Sequence, residues 1–251
     1  MRAPTSNLLL LVLCGLLSAS ARASEPEVTN LTLSVEGHSC SALLMRPARA
    51  SALLVLAHGA AMNMRDPFME SLGAALARRG IATLRFNFPY AEAGRSQPDA
   101  PKLLLATLKL AVAEGARRRG TLPLLVGGKS LSALTVVRAA SEGIAPAQGI
   151  VLLGFPLHQP GRPSALNARG IESVKLPMLF VEGTRDPLAD LSLMRGLVEQ
   201  IGERASLHVV EGADHQYALP PESGQSRDEV IEEIAGAIAA FAATLGASVG
   251  G

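Results

Sequence analysis

VGGKSLSA, residues 126–133, follows Leu124 and Leu125 and sets a serine, Ser130, directly after Gly-Gly-Lys. Two architectures use a serine in such a place. A phosphate-binding loop, G-x-x-x-x-G-K-[ST], wraps phosphates with the backbone amides of a glycine-rich turn. Counting back from Gly128 puts Pro123 where the first glycine is required, and Leu124, Leu125 and Val126 read as a buried strand rather than an open loop. The phosphate loop fails on both counts. The alternative is a strand, a tight turn and a helix, with the serine on the turn of a G-x-S-x-G pattern whose small residues make room for the bend. Gly128-Lys129-Ser130-Leu131-Ser132 fits, with Ser132 in place of the last glycine. A serine in that position can equally cap a helix, so the rest of the chain decides between the two.

Outward from this stretch, short apolar runs alternate with helical patterns. SALLVLAHG (51–59) precedes DPFMESLGAALARRG (66–80), IATLRFNF (81–88) precedes PKLLLATLKLAVAEGARRR (101–119), and LPLLVGG (122–128) precedes LSALTVVRAASEG (131–143). Repeated strand-helix units of this kind form a parallel sheet with helices on both faces. The series continues through QGIVLLGFP (148–156), KLPMLFVEG (175–183), a helix near 191–201, SLHVV (206–210) and a last helix over 228–245. Local signals agree: Asp66-Pro67 suits a helix start, Gly80 after Arg78 and Arg79 a helix stop, and Ser226 with Glu229 a capping box. At the front, VTNLTLSVEG and CSALLMRP read as two strands joined around Gly37, an antiparallel start to the sheet.

A serine on such a turn becomes a nucleophile if an acid and then a histidine follow later strands of the same sheet. PMLFVEG runs into Gly183-Thr184-Arg185-Asp186-Pro187, and SLHVVEG runs into Ala213-Asp214-His215. Both loops leave the carboxyl edge of the sheet, where ligands bind in α/β folds. Ser130, His215 and Asp186 are thus the expected nucleophile, base and orienting acid. Asp190 and Asp214 are alternative acids; Asp190 better suits the N-cap of its helix, and Asp214 adjoins His215 in sequence, which makes the required side-chain geometry awkward. His208 falls within an apolar strand and is expected to be packed. His158, in FPLHQP, and Arg95, in NFPYAEAGRSQPD, are candidate substrate contacts. The expected oxyanion donors are the backbone N–H groups of Leu131 and of Ala60 in His58-Gly59-Ala60, with Ala61 the alternative to Ala60. No metal or organic cofactor is implied.

At 251 residues, 48% hydrophobic and 18% charged, the chain suffices for one sizeable core and one domain. Its first 23 residues combine Arg2, an apolar run over 8–17 and Ala21-Arg22-Ala23, the pattern of a cleavable signal peptide. The run is far short of the ~20 apolar residues that cross a bilayer, so no membrane span is expected after cleavage. Leu13 stands before Cys14 where lipidation needs a small residue. Cleavage removes two arginines and no acid, taking the net charge from +1 to −1, and nothing points to nucleic acid. Cys40 is then the last cysteine, read as a buried structural thiol. The expected location is secreted or periplasmic.

HGA (58–60), RFNFPYAEAGR (85–95), GGKS (127–130), GFPLHQPGRP (154–163), PMLFVEGTRDP (177–187) and EGADH (211–215), in that order, resemble one branch of the α/β-hydrolase superfamily. The chain is similar to the hydrolase-like family of testis-expressed protein 30 and an NSL-complex subunit, a dienelactone-hydrolase-like branch. It departs from that branch in Ser132-Ala133, where Gly-Gly is commoner, and in its signal segment. The resemblance implies an α/β-hydrolase fold with no large lid and carries the triad onto Ser130, Asp186 and His215. The expected activity is hydrolysis of small esters, and secondarily amides, through an acyl-enzyme. The reading from another class is an α/β-hydrolase-fold binding or interaction protein without catalysis. Mass spectrometry of the exported protein is expected to find Ser24 at its amino terminus; a mature chain starting at Met1 would overturn the export reading.

Overall fold

Glu36 and Gly37 both take positive φ, 44° and 81°, the left-handed pair that a two-residue hairpin turn requires. They join β1 (Glu27–Val35) to β2 (His38–Arg46), which pair antiparallel along their whole length. In this computed structural model the described residues are 24–144 and 146–247. The expected signal segment, 1–23, and the last four residues lie outside them.

Beyond the hairpin, β2 pairs antiparallel with β4 (Ile81–Phe86). From there the sheet is parallel through β3 (Ala52–Ala57), β5 (Leu124–Lys129), β6 (Gly149–Leu153), β7 (Met178–Gly183) and β8 (Ala205–Val210). The full order is β1-β2-β4-β3-β5-β6-β7-β8. This is the expected mostly parallel sheet with an antiparallel start. Every residue of β3, ALLVLA, is buried, as a strand covered on both faces must be. Side-chain alternation feeds two cores. Leu53, Val55 and Ala57 join the core under α3 (Pro101–Arg118), α4 (Leu131–Ser141) and α5 (Leu191–Ile201). Leu54 and Leu56 join the core under α1 (Pro67–Arg78) and α6 (Arg227–Ala247). Each fully buried leucine contributes about 1.5–3 kcal/mol to these two cores.

The helix ends follow their sequence signals. Asp66 accepts the N–H of Phe68 at 2.9 Å, and Asp190 accepts that of Leu193 at 2.9 Å. The capping box is reciprocal: Ser226 N–H donates to the Glu229 carboxylate at 2.7 Å, and Glu229 N–H to Ser226 Oγ at 3.2 Å. One helix was not expected. The four-residue α2 (Pro89–Glu92) lies in NFPYAEAGR, where Pro89 presets the first turn and Glu92 accepts from the N–H and Oγ of Ser41 and from Asn87. Between β6 and β7 there are only two single 3₁₀ turns, Leu166–Ala168 and Ile171–Ser173, so that connection forms no helical cover. β8 is an edge strand, and His208 on it is not packed as expected: it is partly exposed and its Nε2 meets Glu233 of α6 at 2.9 Å. Cys40 is fully buried, and burial pushes its thiol up to about 11, with Glu92 and Asp99 adding to the shift. Among the described residues no helix is long and apolar enough to cross a membrane.

At Gly128, α4 comes within backbone contact of β5. A Cβ on Gly128 would lie 2.5 Å from the backbone carbon and oxygen of Ser132 and 2.8 Å from the nitrogen of Ala133. Gly128→Ala is therefore expected to lower the unfolding free energy by about 1–3 kcal/mol. Gly196→Ala, on α5 with nothing within 4 Å of the new methyl, should instead stabilise by up to about 1 kcal/mol. Urea denaturation of the two variants checks both signs.

Candidate active site

Because α4 begins so close to β5, the chain must reverse within one residue, and Ser130 takes φ 54° and ψ −118°. A non-glycine residue rarely adopts such a backbone, and it persists only where its surroundings hold it. Here its N–H donates to the carbonyl of Leu153 at 2.8 Å, and its carbonyl accepts the N–H of Ala133 at 2.8 Å. The small Ser132 does more than replace a glycine. It is buried, and its Oγ donates to the carbonyl of His58, tying the first turn of α4 to the end of β3.

The loop after β8 brings His215 to this turn. Asp214 stiffens the loop, its Oδ1 accepting the N–H groups of Gln216 at 2.8 Å and Ala218 at 2.9 Å. Tyr217 follows with φ 58° and donates its hydroxyl to the carbonyl of Val181 at 2.8 Å. The imidazole packs over Gly154, whose φ is 55° and on which a Cβ would sit 3.4 Å from ring atoms Cε1 and Nδ1. Nδ1–H donates to Oδ2 of Asp186 at 2.7 Å, and Nε2 accepts from Oγ of Ser130 at 2.8 Å. The Asp186 side chain is fully buried, and its Oδ1 accepts the N–H of Leu188 at 2.8 Å. The structure thus brings Ser130, His215 and Asp186 into one hydrogen-bonded line, with the ring nitrogen facing the serine free to accept its proton.

After β3, Gly59 has no positive φ, and its neighbours lie close. A Cβ there would meet Met62 Sδ at 3.0 Å, Lys129 O at 3.4 Å and Ser130 Cβ at 3.6 Å. The carbonyl of Gly59 accepts from the Tyr90 hydroxyl at 2.9 Å and from Nδ1–H of His58 at 2.9 Å, both buried. A trans peptide directs its N–H opposite its carbonyl, so with the Gly59 oxygen aimed at the core the N–H of Ala60 faces outward, and Ala60 itself is exposed. Ala61 follows with φ 56°, turning the chain away. Leu131 is the first residue of α4, where N–H groups have no partner within the helix.

The other two candidates are occupied. Nδ1–H of His158 donates to the carbonyl of Gln159 at 2.9 Å, and its Nε2 accepts the N–H of Asp190 at 2.8 Å. With both ring nitrogens on backbone, this buried histidine ties the β6–β7 connection to the segment holding Asp186. Arg95 is half exposed and pairs with Asp99 at 2.7 Å. Several residues escaped the sequence reading. Lys129 and Glu182 lie fully buried at the ends of β5 and β7, and a charge closing an apolar run is a signal that could have marked both. Gly154 carries no such signal; its φ of 55° favours glycine, and the ring of His215 lies against it at ordinary contact distance. Burial holds the Glu182 carboxyl well above its usual range, despite the Phe155 N–H that its Oε1 accepts at 2.7 Å. Among the described residues no three His, Cys, Asp or Glu side chains gather into a cation-binding group.

An eight-stranded, mostly parallel sheet with a strained serine turn after the fifth strand is an α/β-hydrolase architecture. A family profile described as an alpha/beta hydrolase domain matches residues 50–243, and the chain belongs to that family. Among solved structures it resembles a dienelactone hydrolase from Anabaena variabilis, with 21% identity, 88% of this chain and 97% of that one covered, and a TM-score of 0.67. XC6422 from Xanthomonas campestris, described as an α/β serine hydrolase without lid, shows 18% identity over 86% of this chain and 95% of that one, TM-score 0.67. Est1E from Butyrivibrio proteoclasticus shows 16% identity over 86% and 99%, TM-score 0.64.

His58 supplies a pH test of this architecture. Burial pulls its imidazole from 6.5 down to about 4, against the opposing effects of its bond to Gly59 and of Asp66. A folded value below the unfolded one means that the unfolded chain takes up the proton first, so the stabilisation is complete above about 6.5 and is lost as pH falls toward about 4. Unfolding free energies measured across that window should decline, and His58→Asn, which keeps an acceptor but does not titrate, should flatten the slope between about pH 6.5 and 5.

Proposed function

We propose that the chain is a serine hydrolase that cleaves small esters, and secondarily amides, through an acyl-enzyme on Ser130. The observation that carries the reading is the line Asp186–His215–Ser130, with the serine on a strained turn at the carboxyl edge of the sheet. In this reading His215 Nε2 removes the hydroxyl proton as Oγ attacks the substrate carbonyl, and Asp186 holds the ring and stabilises the imidazolium. The tetrahedral oxyanion is received by the N–H groups of Leu131 and Ala60. The outward direction of the Ala60 N–H, opposite a Gly59 carbonyl that accepts from Tyr90, His58 and, at 3.4 Å, the N–H of Met62, favours it over Ala61. His215 then returns the proton to the leaving alcohol, and a water deprotonated by the same ring releases the acid.

The short β6–β7 connection supports an open, shallow acyl site suited to small substrates. The ordered motifs from HGA to EGADH support a place in the branch that contains testis-expressed protein 30 and the NSL-complex subunit. Export to a secreted or periplasmic location, supported by the amino-terminal pattern, is part of the same proposal.

A fluorophosphonate probe should label the wild-type protein and not Ser130→Ala; labelling that persists in the variant would sink the assignment. Asp186→Asn should lower kcat by about 10⁴-fold, as in other triads, whereas Asp190→Asn should leave it unchanged. p-Nitrophenyl acetate and butyrate should be hydrolysed faster than palmitate, and a preference for the long chain would refute the open acyl site.

A further inference from the structure

Lys129 closes β5 immediately before Ser130, and its side chain is fully buried. Its ammonium donates to the backbone carbonyl of His215 at 2.8 Å. It also lies over the rings of Phe68 and Tyr217, 5.3 and 5.0 Å from their centroids, and the two rings stack on each other at 5.4 Å. An isolated buried cation is strongly disfavoured, and an apolar side chain of similar volume would fill the slot without that desolvation cost. One carbonyl and two ring faces offset part of it, the rings through their negative quadrupole. Burial draws the ammonium down to about 8, opposed first by Asp186 and then by Glu182, Asp214 and Asp66.

The placement is what gives this cation a role. At one end its backbone is bonded to that of the serine; at the other its Nζ holds the backbone of the histidine, 86 positions away. The other ties of the histidine loop fall on its neighbours, Gly212 to Thr184, Ala213 to Arg185, Asp214 and Tyr217, or on the ring itself through Asp186 and Ser130. Lys129 is therefore the direct brace between the two residues that must exchange a proton. A displacement of about 1 Å between such groups can cost about 100-fold in rate.

We propose that Lys129 is a positioning residue of the triad, its ammonium clamping the His215 carbonyl so that Nε2 stays within reach of Ser130 Oγ. This rests on the serine-hydrolase reading, and the test separates the two. Lys129→Met, matched in length but without the charge, is compared with wild type by steady-state kinetics on p-nitrophenyl acetate, by the rate of fluorophosphonate labelling, and by the far-downfield proton resonance of the His215 Nδ1–H. The expected result is kcat lower by about 10- to 100-fold with KM within about twofold, labelling slowed in parallel, and the resonance broadened or lost in a folded protein. An unchanged kcat in the folded variant, even with lowered stability, would overturn the proposal. Should wild type fail to react with the probe, the hydrolase reading falls, and the resonance alone decides the clamp: intact in Lys129→Met, it refutes it. Should Lys129→Met not fold, Phe68→Leu takes its place, removing one ring from the cation while keeping the pocket filled. A fall in kcat of about threefold or more then supports the clamp, and no change overturns it.

Discussion

The contact between α4 and β5 at Gly128 governs the geometry of everything at the carboxyl edge of the sheet. With the backbone of Ser132 pressed where a Cβ would be, the strand cannot pass into the helix through an ordinary loop, and one residue must absorb the whole reversal. That residue is Ser130, and its positive φ follows from the approach rather than from any preference of serine. The same reversal leaves the first N–H of α4 without an intrahelical partner. The strained backbone of Ser130 and its place at the edge of the sheet thus follow from one packing constraint, maintained by the large apolar area that the sheet and its helices bury together.

Around this turn the polar groups are locked in pairs across the sheet edge. Ser132 holds the end of β3 through the His58 carbonyl, and His58 and Tyr90 orient the Gly59 peptide. Lys129 holds the loop after β8, while His158 holds the segment after β7 through the N–H of Asp190. Each tie joins a loop to another loop or to a strand end, so the connections behave as extensions of the sheet. Such preorganisation is what a site needs if donors and acceptors are to meet developing charge without first rearranging. His158, read from the sequence as a substrate contact, shows how a polar side chain near a site can be wholly engaged in shaping it.

The connection between β6 and β7 is too short to build a long helix over the edge of the sheet. Pro156, Pro160 and Pro163, with Gly161 among them, keep the first part of the segment out of a helix. What remains closes in two 3₁₀ turns. The approach to Ser130 is therefore bounded by loops rather than by a mobile helical cover.

The sequence by itself determined the strand-helix alternation, the hairpin at Gly37, the caps at Asp66, Asp190 and Ser226, and the three residues that meet in the Ser130 line. These were legible because helix and strand periodicity, capping chemistry and the place of loops after strands are local or ordered along the chain. Only the tertiary structure decided which groups would be consumed by their neighbours: His158 on two backbone partners, Arg95 on Asp99, His208 on Glu233 instead of in the core. It also revealed what packs against Gly59 and Gly154, and that the lysine of GGKS reaches the histidine loop instead of a phosphate. The physical reason is common to all of these. Partners far apart in sequence meet only when the sheet brings strand ends side by side, and the space left to a side chain there is set by atoms that no local pattern encodes.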